Sequence, residues 1–116
     1  MLTLSQFLAS ELRNAWVREA GFSDLYVRKG QRYINGVLHS NILDIANVTA
    51  RVPGSGAFTK LVAKLRLKYP QMGIYVESII NLRFPKKLER LGFQKNPDGH
   101  APEKMIPPSY YLLPKE

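Results

Sequence analysis

The chain contains no cysteine and no long apolar run, and it is poor in acidic residues. The absence of cysteine excludes a disulfide scaffold, a thiolate metal site and a cysteine nucleophile. No apolar stretch approaches the roughly 20 residues that cross a bilayer. Met1 leads directly into an amphipathic pattern, without the basic and apolar regions of a signal peptide. We therefore expect a cytoplasmic protein that does not enter a membrane.

Acidic residues number nine, against 17 lysines and arginines, so the formal net charge is +8. The 45% of hydrophobic residues is enough for a packed core. A length of 116 residues predicts a single domain, 1–116. The positive charge indicates an anionic partner.

The first third of the chain predicts a helix followed by a hairpin. Apolar residues recur at helical intervals from Thr3 to Ala20, including Phe7 and Trp16, which we expect to pack the helix on a sheet. Thr3 and Gln6 have the spacing of a capping box. The segments 24–28 and 32–37 contain strand-forming residues on either side of Lys29-Gly30-Gln31, which predicts a hairpin turn there.

The middle of the chain predicts a strand, a glycine loop and a helix. Asn41–Ala50 has the composition of an inner strand, and Gly54-Ser55-Gly56 precedes a helical pattern that Pro70 ends. The first N–H groups of a helix lack partners within it, and glycine allows a phosphate to approach the backbone. Taken alone, this arrangement fits both an anion site and a structural turn.

The remaining segments predict short elements and a loop. Ile74–Ile80 is rich in strand formers, a short helix runs from Pro85 to Leu91, and further strands begin at Gly92 and at Ser109. The segment 96–108 is rich in proline and predicts a loop.

Together these motifs resemble the GNAT family of N-acetyltransferases, and in particular the small GNAT-like proteins encoded by bacteriophages. The segments that carry the resemblance are Ile45-Ala46-Asn47-Val48, Gly54-Ser55-Gly56, Leu61-Val62, Asn81-Leu82-Arg83, Leu91-Gly92-Phe93 and Pro107-Pro108-Ser109-Tyr110-Tyr111. The resemblance implies an α+β, GNAT-like fold: a curved, mostly antiparallel sheet of about six strands flanked by helices, shortened at the N-terminus. It also implies acetyl-CoA as the acyl donor.

The family's loop pattern can be aligned in two registers. One register matches the letters of Arg51 to Gly56, but it would bury Thr59 and Lys60 in the following helix. The helical phase favours the other register, with Leu61 and Val62 buried. Under it, the resemblance implies that the backbone of Val48 contacts the acyl-pantetheine arm, that Arg51 assists at the phosphates, and that Asn81 contacts pantetheine or orients the next helix. The pyrophosphate would be bound by the N–H groups of Gly54, Ser55, Gly56, Ala57, Phe58 and Thr59.

The residues leave the catalytic chemistry open. Glu77 is the first candidate for the base that removes a proton from the attacking amine, and Asp44 is the second, expected at the exposed end of its strand. Where the family usually has a tyrosine that protonates the departing thiolate, this chain has Leu88. Tyr75, Ser78 or water would have to supply that proton.

The resemblance supports two functions of different classes. The first is transfer of an acetyl group from acetyl-CoA to an amine of a protein or small molecule, and the second is a catalytically inactive module that docks on a host protein. Nine of the 17 basic residues lie within 60–95, and this concentration of positive charge suits either of the two functions. Nucleic-acid binding is a third and weaker alternative, because the charge fits it but the chain has no helix-turn-helix pattern, zinc spacing or RNP-type motif. His39 and His100 stand apart from other ligand residues, so no metal is expected. The oligomeric state stays open between monomer and homodimer.

Overall fold

The computed structural model describes residues 1–77, 84–97 and 109–114, and within them an α+β fold with a mixed six-stranded sheet and three helices. Asn81, Ser78, His100 and most of the proline-rich segment lie outside these residues. The elements in chain order are α1 (Leu4–Ala9), β1 (Asn14–Trp16), β2 (Phe22–Ile34), β3 (Val37–Ala50), α2 (Ala57–Lys68), β4 (Gly73–Val76), α3 (Phe84–Arg90), β5 (Gln94–Asn96) and β6 (Ser109–Leu112).

The strands lie side by side in the order β1-β2-β3-β4-β6-β5. Among the strands of the described residues, only β3 and β4 are parallel, and α2 forms the crossover that connects them. The other four pairs are antiparallel.

All three helices bury residues in one core on a single side of the sheet, here called the helix face. Phe7, Leu61 and Leu88 contribute from the helices, and Leu43 and Val76 contribute from the strands. Strand residues of the opposite parity point to the other side, here called the second face. A smaller cluster of Ile34, Ile42, Tyr75 and Tyr111 is buried there.

The predicted helix over 3–20 is wrong beyond Ala9. The capping box is present, because the Thr3 hydroxyl accepts from the Gln6 N–H at 3.1 Å and the Gln6 amide oxygen accepts from the Thr3 N–H at 2.9 Å. However, residues 14–18 alternate between exposed and covered positions, and Asn14–Trp16 pairs with β2. Phe7 packs in the core as expected, whereas Trp16 is 49% exposed.

The predicted hairpin turn at residues 29–31 is also wrong. The chain turns at Asn35-Gly36, where both residues have positive φ, at 51° and 77°. An Asn-Gly pair with two positive φ values suits the twist of a two-residue hairpin. Gly30 lies within β2, next to a register shift between Gly30 and Arg32.

The distal part of this hairpin, residues 31–40, is here called the hairpin arm, and its tip lies over the second face. Ile34 packs with Tyr75 and Tyr111, and the Asn35 amide donates to the Tyr111 hydroxyl at 3.1 Å. In sheet order, β4 and β6 lie beyond β3. The arm therefore reaches across two strands and covers the middle of the second face.

Candidate functional site

The candidate site begins where β3 and β4 separate. Their parallel pairing covers only Ile42–Ile45 and Gly73–Val76, whereas β3 continues to Ala50. The N–H of Glu77 still reaches the carbonyl oxygen of Ile45 at 3.3 Å. Beyond this contact, no described strand pairs with residues 46–50 on the β4 side. We call this opening the β3–β4 fork.

Val48 lies on the unpaired part of β3 and is half-buried. Its backbone is therefore at the fork. Arg51 follows the strand and is exposed, with its N–H donated to the carbonyl oxygen of Gly21 at 2.9 Å. This hydrogen bond fixes the start of the glycine loop, residues 51–56.

The glycine loop leads into α2 without a side-chain cap. Gly54 and Gly56 have φ values of 78° and 82°, and Gly56 is the N-cap residue. The first hydrogen bond of the helix runs from the Lys60 N–H to the Gly56 carbonyl oxygen. The N–H groups of residues 57–59 therefore precede the intrahelical ladder and lie at the positive end of the helix dipole.

The burial of α2 confirms the helical phase that the sequence favoured. Leu61 and Val62 are each 3% exposed, whereas Thr59 and Lys60 are exposed. Phe58 packs in the core, so its N–H but not its ring is available at the helix start. Ser55 is exposed, and no atom lies within 4 Å of a Cβ placed on Gly54 or Gly56. The backbone here has open space in front of it.

Glu77 and Asp44 lie together on the second face, beside the fork. Both carboxylates contact the Arg32 guanidinium, and Glu77 also contacts Arg28, with 3.3 Å between the Arg28 nitrogen and the nearer oxygen. The guanidinium of Arg32 lies 4.6 Å from the centre of the Tyr75 ring. The expectation of an exposed Asp44 is wrong: it faces Tyr75 in the middle of β3 and is 4% exposed.

The two carboxyl groups have opposite pKa shifts. Burial raises the pKa of Asp44 to about 7, and the hydrogen bond to Glu77 adds to the effect, against the charge of Arg32. Burial also acts to raise the pKa of Glu77, but the hydrogen bond with Asp44 and the two arginine charges outweigh it and hold that pKa below its ordinary value. A hydrogen bond between two carboxyl groups requires one proton, and the two shifts favour Asp44 as the group that carries it until the pH approaches 7.

An open groove of about 1110 Å³ leads to Asp44. Its walls come from the bend of the hairpin, from Leu8 and Arg13, and from the segment 69–72 between α2 and β4. Oδ1 of Asp44 is buried and accepts no hydrogen bond from the described residues. The groove thus leads to the Asp44 carboxyl group.

Sequence reasoning missed Arg28 and Arg32, which complete this cluster. Their spacing of four residues on a strand could have indicated a shared face. The hairpin turn predicted between them placed them on different strands instead. Only the correct turn at Asn35-Gly36 aligns Arg28 with Asp44 across β2 and β3.

Leu88 is completely buried in the helix-face core, so this position supplies packing and no proton. The Tyr75 hydroxyl accepts a hydrogen bond from the Asn96 amide at 2.8 Å, in a buried position under the hairpin arm. Its ring contacts Arg32, which places Tyr75 beside the carboxyl pair as a packing partner.

Comparison of the chain with family models, curated proteins and solved structures finds no match. No helix in the described part of the chain is long and apolar enough to cross a membrane. Within the same residues, no three His, Cys, Asp or Glu side chains are grouped as metal ligands.

Proposed function

We propose that this protein is an acyl-CoA-dependent N-acyltransferase that transfers an acetyl group from acetyl-CoA to an amine. The observation that carries the proposal is a juxtaposition. The β3–β4 fork lies between the glycine loop at the start of α2 and the Asp44–Glu77 pair. A thioester donor needs an anion site for its pyrophosphate, an edge for its pantetheine amides and a base near its carbonyl, and the glycine loop, the unpaired part of β3 and the carboxyl pair are the proposed candidates.

The backbone fits the donor at two points. The unpaired edge of β3 at residues 46–50 offers N–H and C=O groups to an extended chain with amide bonds. The N–H groups of residues 57–59 and the open space at Gly54 and Gly56 suit a pyrophosphate. The mixed sheet, with α2 as the crossover between its parallel strands, supports the GNAT-like fold that the sequence resemblance implies.

In the proposed reaction, the amine nitrogen attacks the thioester carbonyl carbon and forms a C–N bond. The tetrahedral oxyanion then collapses, the C–S bond breaks and CoA leaves as a thiolate. The proton of the amine passes to the carboxyl pair. Asp44 is better suited than Glu77 to accept it, because its pKa of about 7 lies near neutral pH whereas the arginines lower the basicity of Glu77. With Leu88 in place of tyrosine, the thiolate takes its proton from water.

The first experiment is thermal unfolding with and without millimolar acetyl-CoA, with ATP as a control. A ligand at 100 times its Kd adds about 2.7 kcal/mol to the free energy of unfolding. We expect a rise in Tm with acetyl-CoA, and we expect Thr59→Glu to abolish it. Thr59 is exposed at the third position of α2, where a carboxylate stabilises a helix but repels a phosphate.

Two variants serve as matched controls. Thr59→Gln changes the shape without the charge, and Leu67→Glu adds the same charge at an 84% exposed position near the other end of α2. Both should retain the rise in Tm. If acetyl-CoA does not stabilise the wild-type protein, or if Thr59→Glu is stabilised equally, the proposed donor site is wrong.

The buried Leu88 favours a second candidate function, the inactive module that docks on a host protein. The two functions differ in the release of CoA thiol. A protein that binds acetyl-CoA but releases no thiol above the buffer rate with any amine would support the second function.

A further inference from the structure

The groove that leads to Asp44 is electropositive, although it ends at a carboxyl group. Four cationic side chains line it, against the single acidic side chain of Asp44. The cationic residues are Arg13, Arg28, Lys29 and Arg32. Arg28 and Arg32 already neutralise Glu77 and Asp44. Positive charge therefore remains in excess along the path to the base.

The four cationic side chains differ in how many hydrogen bonds and ion pairs they already make within the protein. The Lys29 ammonium donates to the carbonyl oxygens of Phe7 and Ser10 at the end of α1, the former at 2.8 Å. The Arg32 side chain is 34% exposed and holds both carboxylates. Arg28 is 48% exposed in its side chain and contacts only the outer carboxylate, Glu77, and Arg13 is exposed at the groove wall. Arg13 and Arg28 are the two that a ligand can reach.

The positive charge of the groove disfavours binding of an acceptor whose only charge is a positive one. Two free carboxylates would attract an alkylammonium group, but here the guanidinium of Arg32 fills the space between them. An ammonium ion that approached Asp44 would also pass Arg28 and Arg13 at close range. Like charges in a partly desolvated groove repel each other, and the cost rises as water is excluded.

We infer that the amine acceptor carries its own anionic group, so that it is an α-amino acid or an acidic peptide N-terminus and not a polyamine. This inference rests on the proposed function. The carboxylate of the acceptor binds at the Arg28 guanidinium, Arg13 adds positive charge at the groove wall, and the amine of the acceptor points toward the Asp44 carboxyl group. Glu77 holds Arg28 and Arg32 in place through ion pairs.

The test compares acceptors of different charge at a fixed acetyl-CoA concentration, with release of CoA thiol as the readout. Aspartate and Asp-Gly-Gly carry the anion in a free amino acid and in a peptide. Glycinamide and spermidine lack it. We expect kcat/KM to be at least about tenfold higher for the anionic acceptors, equivalent to about 1.4 kcal/mol. The ratio between aspartate and Asp-Gly-Gly identifies the source of the anion.

Arg13→Glu tests the groove directly, because Arg13 lies outside the carboxyl pair. It should lower kcat/KM for aspartate by about tenfold and raise the value for glycinamide, because an anion replaces a cation that repels ammonium groups in the groove. Lys95→Glu is the matched control, since Lys95 is exposed on β5 at the far edge of the sheet and makes the same change in charge. Equal turnover of glycinamide and aspartate, or a preference for spermidine, would overturn the inference while leaving acyl transfer intact.

A binding measurement separates this inference from the proposed reaction. N-acetylaspartate resembles the expected product and can be titrated calorimetrically without CoA. We expect it to bind the wild-type protein, to bind Arg13→Glu at least about tenfold more weakly, and to bind more weakly in 0.5 M NaCl. If no amine is acetylated but this binding is present, the groove assignment stands and the reaction is wrong. If N-acetylaspartate does not bind, the groove assignment is wrong.

Discussion

Asp44 and Glu77 are adjacent side chains whose environments shift their pKa values in opposite directions. Asp44 is buried and faces one guanidinium, whereas Glu77 is more exposed and faces two. A carboxyl pair that shares one proton near neutral pH is suited to accept a proton from an amine. The same pair has a measurable effect on stability, because the folded and unfolded states bind protons differently.

We expect Asp44→Asn to stabilise the protein progressively as the pH rises from 5 to 8. The folded protein keeps a proton on Asp44 up to a pKa of about 7, whereas the ordinary value is 3.8. Between these values the folded state binds more protons, so the free energy of unfolding falls with rising pH, by at most about 1.4 kcal/mol per pH unit. Asparagine does not titrate, so the Asp44→Asn variant should not show this fall in the free energy of unfolding.

The measurement is Tm against pH for the wild-type protein and for Asp44→Asn. Glu77→Gln should change the pH dependence of stability in the opposite direction. The pKa of Glu77 is lowered from 4.5, so the stability that Glu77 contributes is present at neutral pH and lost in acid. That variant should be less stable than wild type at pH 7 and should approach it below pH 4. Parallel curves for wild type and Asp44→Asn would contradict the raised pKa.

Among the elements, the β2–β3 hairpin determines the site, because its turn decides which side chains face Asp44. With the turn at Asn35-Gly36, the antiparallel register places Arg28 opposite Asp44 and Arg32 opposite His39. The register shift beside Gly30 redirects the distal half of the hairpin over the second face. The site is therefore formed by the hairpin as much as by the β3–β4 fork.

We predict that Gly36→Ala destabilises the protein by about 1 kcal/mol or more, because an alanine at positive φ is strained. Gly36 has a φ of 77°, whereas Gly30 has no positive φ and open space around its Cβ position. Gly30→Ala is thus the matched control and should be neutral or slightly stabilising. Chemical denaturation of both variants checks this, and equal losses would contradict the turn assignment.

The sequence predicted the second half of the molecule better than the first. Elements 41–91 have unambiguous signals: a strand that a glycine loop ends, a helix whose phase Leu61 and Val62 define, and Pro70 as a stop. In the first half, Trp16 and Val17 fit a helical stripe as well as an alternating strand. The prediction also places the hairpin turn at Gly30, although Asn35-Gly36 is the stronger turn signal.

For the site, the sequence predicted individual residues but not their partners. Val48, the glycine loop and Glu77 lie near the β3–β4 fork, and their roles in binding and catalysis stay predictions. The burial of Asp44 could not be predicted, because it depends on the hairpin arm and on Tyr75, which is distant in sequence. Pairings across 45 residues, such as Arg32 with Glu77, depend on register and curvature that local patterns do not specify.

At the scale of the whole molecule, the two faces of the sheet differ in how they are stabilised. The helix face contains a large apolar core to which all three helices contribute. The second face has a smaller apolar cluster of four buried residues in the described part of the chain, an ion cluster and hydrogen bonds to the hairpin arm. Segments with few buried apolar contacts open locally before the rest of a protein unfolds. The arm that covers the proposed site thus belongs to the less stable part of the molecule.

We predict that Tyr111→Phe makes the hairpin arm open more often without weakening the helix-face core. The Tyr111 hydroxyl accepts from Asn35 at 3.1 Å and donates to Gln94 at 2.8 Å, so it joins the arm to β5. Loss of the Tyr111 hydroxyl lowers the free energy needed to open the arm by about 0.5–1.5 kcal/mol. Amide hydrogen exchange should accelerate at residues 33–38 and stay unchanged at 43–45. Tyr110→Phe, on the helix face, is the control and should leave the arm unaffected. Equal acceleration in both segments would show that the arm and the core open as one unit, and the arm could then not move independently to admit an acceptor.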